Sequence, residues 1–98
     1  MNAQNDYKFT PLHFAAKSGH TKAIQALLNA GAQLEVRTSR QSSPLHVAVL
    51  NGHSEAIGVL LEKGAKVNAE NDRKQTPLHV AAKNDPIATI EALLNKGA

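Results

Sequence analysis

Apolar positions along the chain fall into short stripes with the period of a helix. Leu12, Ala15 and Ala16 form one stripe, and Ile24, Leu27 and Leu28 form a second a little further on. Such spacing puts each set on one face of an α-helix. Thr10 stands ahead of the first stripe as an N-cap. Pro11 follows at the first helical position, where its missing N–H costs nothing. Gly19 ends this first short helix and Gly31 stops the second. From Gln33 to Ser42 the chain is polar and turn-like. The pattern therefore predicts two short helices followed by a turn.

The same pattern returns twice. Thr10-Pro11-Leu12-His13 recurs as Ser43-Pro44-Leu45-His46 and as Thr76-Pro77-Leu78-His79, 33 residues apart each time. The ends of the units recur in phase: Leu27-Leu28-Asn29-Ala30-Gly31-Ala32, Leu60-Leu61-Glu62-Lys63-Gly64-Ala65 and Leu93-Leu94-Asn95-Lys96-Gly97-Ala98. Units of approximately 2–34, 35–67 and 68–98 fill nearly the whole chain as a single domain. Helices this short cannot bury their stripes alone, so the core must form between stacked neighbours. Leu12, Ala15, Leu27, Leu28, Leu45, Ala48, Ile57, Leu60, Leu61, Leu78, Ala81, Ile90 and Leu93 are the expected core.

Composition sharpens this picture. An apolar fraction of 42% with 19% charged residues describes a chain that folds. The only aromatics are Tyr7, Phe9 and Phe14, all in the first unit. A core of Ala, Leu, Val and Ile suits closely layered helices. With no cysteine there is no disulfide framework and no thiol chemistry, which fits a reducing compartment. A net charge of +3 with acidic residues interspersed is too weak to point to nucleic acid. No apolar run approaches the roughly 20 residues of a membrane span. The start of the chain has no secretory character.

In its 33-residue period, its Thr-Pro-Leu-His-x-Ala run, its Gly19-His20 and Gly52-His53 pairs and its Leu-Leu-x-x-Gly-Ala ends, the sequence closely resembles the ankyrin repeat family. The resemblance implies an all-α solenoid of three helix-turn-helix repeats with connecting β-turn loops. It also implies a non-catalytic module that binds another protein. Some positions depart from the family pattern. Lys8, Gln41 and Lys74 stand where the family favours a glycine at positive φ, which leaves the turn geometry open. Asp85-Pro86 replaces Gly-His in the third unit and reads as an N-cap and first helical residue, starting that helix earlier. Glu35 replaces the asparagine found at Asn68, which weakens one expected hydrogen-bonding site between units.

Candidate chemistry is thin. All five histidines occupy repeat slots: His13, His46 and His79 after Pro-Leu, His20 and His53 after Gly. By the resemblance, the first type bonds the neighbouring Thr or Ser and backbone across the repeat boundary. A zinc site needs ligands converging at about 2.0–2.1 Å, whereas equivalent histidines on stacked helices lie about 8–10 Å apart. No metal, cofactor or catalytic residue is expected. Asp6 with Asp72, or Glu55 with Glu62, reads as surface charge. Ser39, Ser42 and Ser43 lack a nucleophile-elbow context, and no Gly-rich phosphate loop is present. Arg37, Arg40, Arg73 and Lys74 fall in turns, as solvated tips or as contacts to an acidic partner.

The resemblance places the interaction surface on the concave side, formed by the turns and the ends of the first helices. Carried over, it comprises Asp6, Tyr7, Phe9, Lys17 and Ser18 in unit one. Unit two supplies Ser39, Arg40, Ser42, Leu50 and Asn51. Unit three supplies Asp72, Arg73, Gln75, Lys83 and Asn84. Tyr7, Phe9 and Leu50 are apolar where solvent is expected, as interface anchors are. Tyr7 and Phe9 could equally fold back over the open end of the first unit. The expected partner is a protein or peptide with acidic and apolar features, bound by a monomer in the cytoplasm, or in a host's cytoplasm for a secreted effector. Neither nucleic acid nor membrane is expected. The absence of a polar capping repeat after Gly97-Ala98 suggests a longer array. The competing reading is a structural or targeting segment of a larger ankyrin-containing enzyme or effector.

Overall fold

The computed structural model describes residues 7–84 and 87–97. Its helices are α1 Pro11–Ser18, α2 Thr21–Asn29, α3 Pro44–Leu50, α4 Ser54–Glu62, α5 Pro77–Asn84 and α6 Ile87–Asn95. No strand occurs among the described residues. Helix α3 packs on α1 and α5, and α4 packs on α2 and α6, so the first helices form one layer and the second helices another. The expected early start at Asp85-Pro86 lies outside the described residues.

Each first helix begins with the same reciprocal cap. The Thr10 hydroxyl accepts the His13 N–H at 3.4 Å, while the His13 ring Nδ1 accepts the Thr10 N–H at 3.1 Å. Ser43 and His46 repeat this at 3.3 and 3.2 Å, and Thr76 and His79 at 3.4 and 3.0 Å. The cap occupies amide groups that the helix itself leaves unpaired. An amide N–H can only donate, so Nδ1 is the acceptor and the ring proton sits on Nε2. That nitrogen donates across the unit boundary, from His13 to the Ser42 carbonyl at 3.1 Å and from His46 to the Gln75 carbonyl at 2.8 Å. Burial holds both rings below the ordinary histidine pKa, with the carbonyl bonds opposing it.

Further bonds tie the units at their turns and helix ends. The Ser39 N–H donates to the Tyr7 carbonyl at 2.9 Å, and 33 residues on the Asp72 N–H donates to the Arg40 carbonyl at 3.0 Å. His53 Nε2 donates to the Lys17 carbonyl at 2.8 Å. Its ring lies so close to Gly19, at φ 71°, that a Cβ there would sit 2.6 Å from Nδ1. Glu35 bonds within its own unit: one carboxylate oxygen accepts the Lys66 N–H at 2.9 Å. The cost falls on its other oxygen, which is buried without a hydrogen-bond partner among the described residues. Arg37 is no solvated tip, since its Nη1 donates to the Gln41 carbonyl at 2.7 Å and to the Glu70 carbonyl at 2.9 Å.

Of the expected core, Leu12, Ala15, Leu45, Ala48, Ile57, Leu60, Leu61, Ala81 and Leu93 are buried. Leu27, Leu28, Leu78 and Ile90 are only partly buried against them. The reason is position in the stack. Leu60 and Leu61, equivalent to Leu27 and Leu28, have a unit on each side, and the four half-buried residues belong to the outer units. Ile24, Val47, Val49 and Ala56 are also buried in the core, with Ala16, Ala65 and Val80.

Candidate partner-binding face

The turns that carry the face are built by one side chain each. Thr38, itself buried, accepts the N–H groups of Arg40 and Ser42 on its hydroxyl at 3.2 and 3.1 Å. Asn71 does the same in the next unit, its Oδ1 accepting from Arg73 and Gln75 at 2.9 and 3.0 Å. The backbone closes each loop, with Gln41 N–H donating to the Thr38 carbonyl at 2.8 Å and Lys74 N–H to the Asn71 carbonyl at 3.0 Å. Lys8, Gln41 and Lys74 adopt φ of 60°, 62° and 60° in these turns. The turn geometry of the repeat is thus kept without its glycine, at the expense of a left-handed backbone on L residues.

Between these turns and the first helices lies a groove of about 270 Å³ lined by Phe9, Lys17, Thr38, Arg40, Ser42, Val47, Leu50 and Asn51. Six of those eight were expected from the sequence. Thr38 and Val47 were not, although Val47 shares its register with Phe14 and Val80, and Thr38 shares its register with Asn71. Leu50, the last residue of α3, is 63% exposed. Lys17 lies in the last turn of α1, where a cation also suits the helix dipole. The Asn51 Nδ2 donates to the Val47 carbonyl at 2.8 Å, fixing the groove's far end.

Phe9 is partly buried. It packs against His13 and Phe14, at centroid distances of 5.3 and 5.2 Å, and it also lines the groove. Tyr7 is 69% exposed and lies on the turn beside Ser39 rather than in the groove lining. Asp72, Arg73, Gln75 and Lys83 continue along unit three, outside this groove. Gln75 is held in place, its carbonyl taken by His46 and its Oε1 by the Asn71 Nδ2 at 3.1 Å. Of the remaining expected residues, Ser18 and Ser39 are exposed, and Asp6 and the Asn84 side chain lie outside the described residues.

A family model described as ankyrin repeats, in three copies, matches residues 1–71 and 36–98. The chain belongs to the ankyrin repeat family. Comparison with curated proteins finds no match. Ankyrin repeats are in general protein–protein interaction modules and typically non-catalytic. The histidines suit that role, because His13 and His46 engage both ring nitrogens in the ankyrin scaffold. Among the described residues no three His, Cys, Asp or Glu side chains are grouped to hold a metal ion. No described helix is long and apolar enough to cross a membrane.

Proposed function

We propose that this ankyrin array binds a protein or peptide with acidic and apolar features through its concave face. The observation that carries this reading is the groove between units one and two. It combines an apolar lining from Phe9, Val47 and Leu50 with the cations Lys17 and Arg40. Arg73 and Lys83 extend the positive character over unit three, with Asp72 as the acidic exception. Exposed aromatic and arginine side chains on a fixed frame are what interface anchors require. A fixed frame also lowers the ordering cost of binding.

The chain acts as a monomeric receptor in the cytoplasm on this reading, and its lack of cysteine suits a reducing compartment. It binds no nucleic acid, because the cationic residues are too few and too interrupted for a phosphate track. It forms part of a longer array. In support, Ile87 and Leu94 are 66% and 51% exposed, and a hollow lined by Thr76, Leu78, His79 and Ala82 opens on unit three. In that setting the chain can also serve as the targeting segment of a larger protein. The test is affinity capture from cell lysate with the wild type and a Tyr7→Ala, Arg40→Glu, Leu50→Ala variant, both verified as folded by circular dichroism. The variant should lose the wild type's partners. Equal recovery by both proteins removes the concave face as the site.

A further inference from the structure

The turn that closes α3 holds the chain's one Asn-Gly pair, Asn51-Gly52. Every other asparagine is followed by Ala, Asp or Lys. Glycine matters here because it has no side chain to shield its own nitrogen, which can then reach the amide carbon of the preceding asparagine. In the same slot, unit one has Ser18-Gly19 and unit three has Asn84-Asp85. The pair is therefore confined to the middle unit, where Asn51 lines the groove together with Lys17 and Arg40.

This turn also lacks the cover that its equivalent in unit one has. Over Gly19 lies the His53 ring, whose Nε2 donates to the Lys17 carbonyl at 2.8 Å. The residue 33 positions after His53 is Pro86, which carries no ring N–H. Among the described residues nothing comes within 4 Å of the place a Cβ would take at Gly52, and a hollow of about 310 Å³ opens there. Water thus reaches the pair. Bonds to α3 restrain it: Asn51 Nδ2 donates to the Val47 carbonyl at 2.8 Å, Gly52 N–H to the Val49 carbonyl at 3.1 Å and His53 N–H to the Ala48 carbonyl at 3.2 Å. The restraint lasts only while the last turn of α3 is wound, and helix ends open locally.

We propose that Asn51 is a site of deamidation that changes the charge of the partner-binding groove. When the end of α3 opens, the Gly52 nitrogen gives up its proton and bonds to Asn51 Cγ. The Cγ–Nδ2 bond breaks, and Nδ2 leaves as ammonia with that proton. Water then opens the resulting ring at either of its carbonyls, leaving aspartate or isoaspartate at position 51. Either product places a carboxylate on the groove beside Lys17 and Arg40, where it competes with an acidic partner. Isoaspartate also inserts a carbon into the main chain, which displaces the Gly52 and His53 N–H groups from their carbonyls. The charge effect rests on the concave-face reading, and the chemistry at Asn51 does not.

The test is peptide mapping by mass spectrometry of the whole protein, incubated in mildly alkaline buffer at body temperature with and without urea. Asn51 should convert ahead of every other asparagine in the folded protein. It should convert about tenfold faster in urea, where no helix end holds the pair. Asn51→Gln, whose longer side chain closes a ring less readily, should stay unmodified at that position. Another asparagine converting first, equal rates with and without urea, or no conversion of Asn51 in the folded protein overturns the proposal. In the capture experiment, Asn51→Asp should retain about twofold to fivefold less of the wild type's partners, the scale of one surface charge. Full retention by Asn51→Asp, with loss by the Tyr7, Arg40 and Leu50 triple variant, overturns the charge switch and leaves the face standing. Equal capture by the triple variant and the wild type removes the face and the switch with it, while peptide mapping still decides the chemistry.

Discussion

Lys8, Gln41 and Lys74 hold left-handed backbone at φ of 60°, 62° and 60°, and all three side chains are exposed. For an L residue this conformation costs about 1–2 kcal/mol. Glycine removes that cost but brings about 0.5–1 kcal/mol of extra freedom in the unfolded chain. The net gain is about 0.5–1 kcal/mol per site. No packing is lost on substitution, and the bonds that close these turns run through backbone atoms or through Thr38 and Asn71. The triple variant Lys8→Gly, Gln41→Gly, Lys74→Gly should therefore be more stable by about 1.5–3 kcal/mol. For a domain of this size that raises the melting temperature by roughly 10 °C. Thermal unfolding followed by circular dichroism measures it, with urea unfolding as a second determination. The matched alanine variant is the control, because alanine keeps the Cβ and should show no comparable gain. A glycine variant that melts at or below the wild-type temperature, or an alanine variant that gains as much, refutes the reasoning.

Two further outcomes follow from the interior. Leu60 is fully buried in the central unit, so Leu60→Ala should destabilise by about 2–5 kcal/mol through cavity formation, and an unchanged urea midpoint would remove it from the core. His13 and His46 are held below the ordinary histidine pKa chiefly by burial, so the unfolded chain binds protons that the folded chain does not. Their stabilising effect is complete above about pH 6.5 and is lost as the pH falls from there towards the folded values. The urea midpoint should drop between about pH 7.5 and pH 5.5, and a constant midpoint contradicts the buried neutral rings.

Much of this was legible in the sequence because the governing interactions are local and repeat. Thr10, Ser43 and Thr76 cap the next helix three residues away, so the Thr-Pro-Leu-His run carries its own structural meaning. What was not legible depends on neighbours. Leu27, Leu60 and Leu93 occupy one slot of the same pattern, yet Leu27 alone is only partly buried, because among the described residues only units two and three have a unit stacked before them. Gln41 stands where the family places a glycine at positive φ, but the residue type itself does not favour that conformation. The turn is imposed by the Thr38 hydroxyl and by stacking on the Tyr7 and Arg40 carbonyls. Arg37 looked like a surface cation, but it bridges two carbonyls, one of them at Glu70 in the same slot of the next unit. Glu35 accepts the Lys66 N–H on a carboxylate oxygen, whereas Asn68, one repeat on, donates its Nδ2 to the Gly97 carbonyl at 3.4 Å. Within the candidate face, the exposed members were readable from the family pattern. Thr38 and Val47 were missed because they support the groove from beneath, and a sequence read for exposed residues passes over them.

The central claim is that partners are held on the concave face. It is tested most directly by placing a photoreactive amino acid at position 50 in one protein and at position 62 in another, then irradiating each in living cells. Leu50 borders the groove and Glu62 ends the outer helix α4, and both are exposed, so access alone does not separate them. The account predicts a discrete crosslinked adduct from position 50 that is absent from position 62 and disappears when Arg40→Glu is added. The same adduct from both positions, or from position 62 alone, contradicts it.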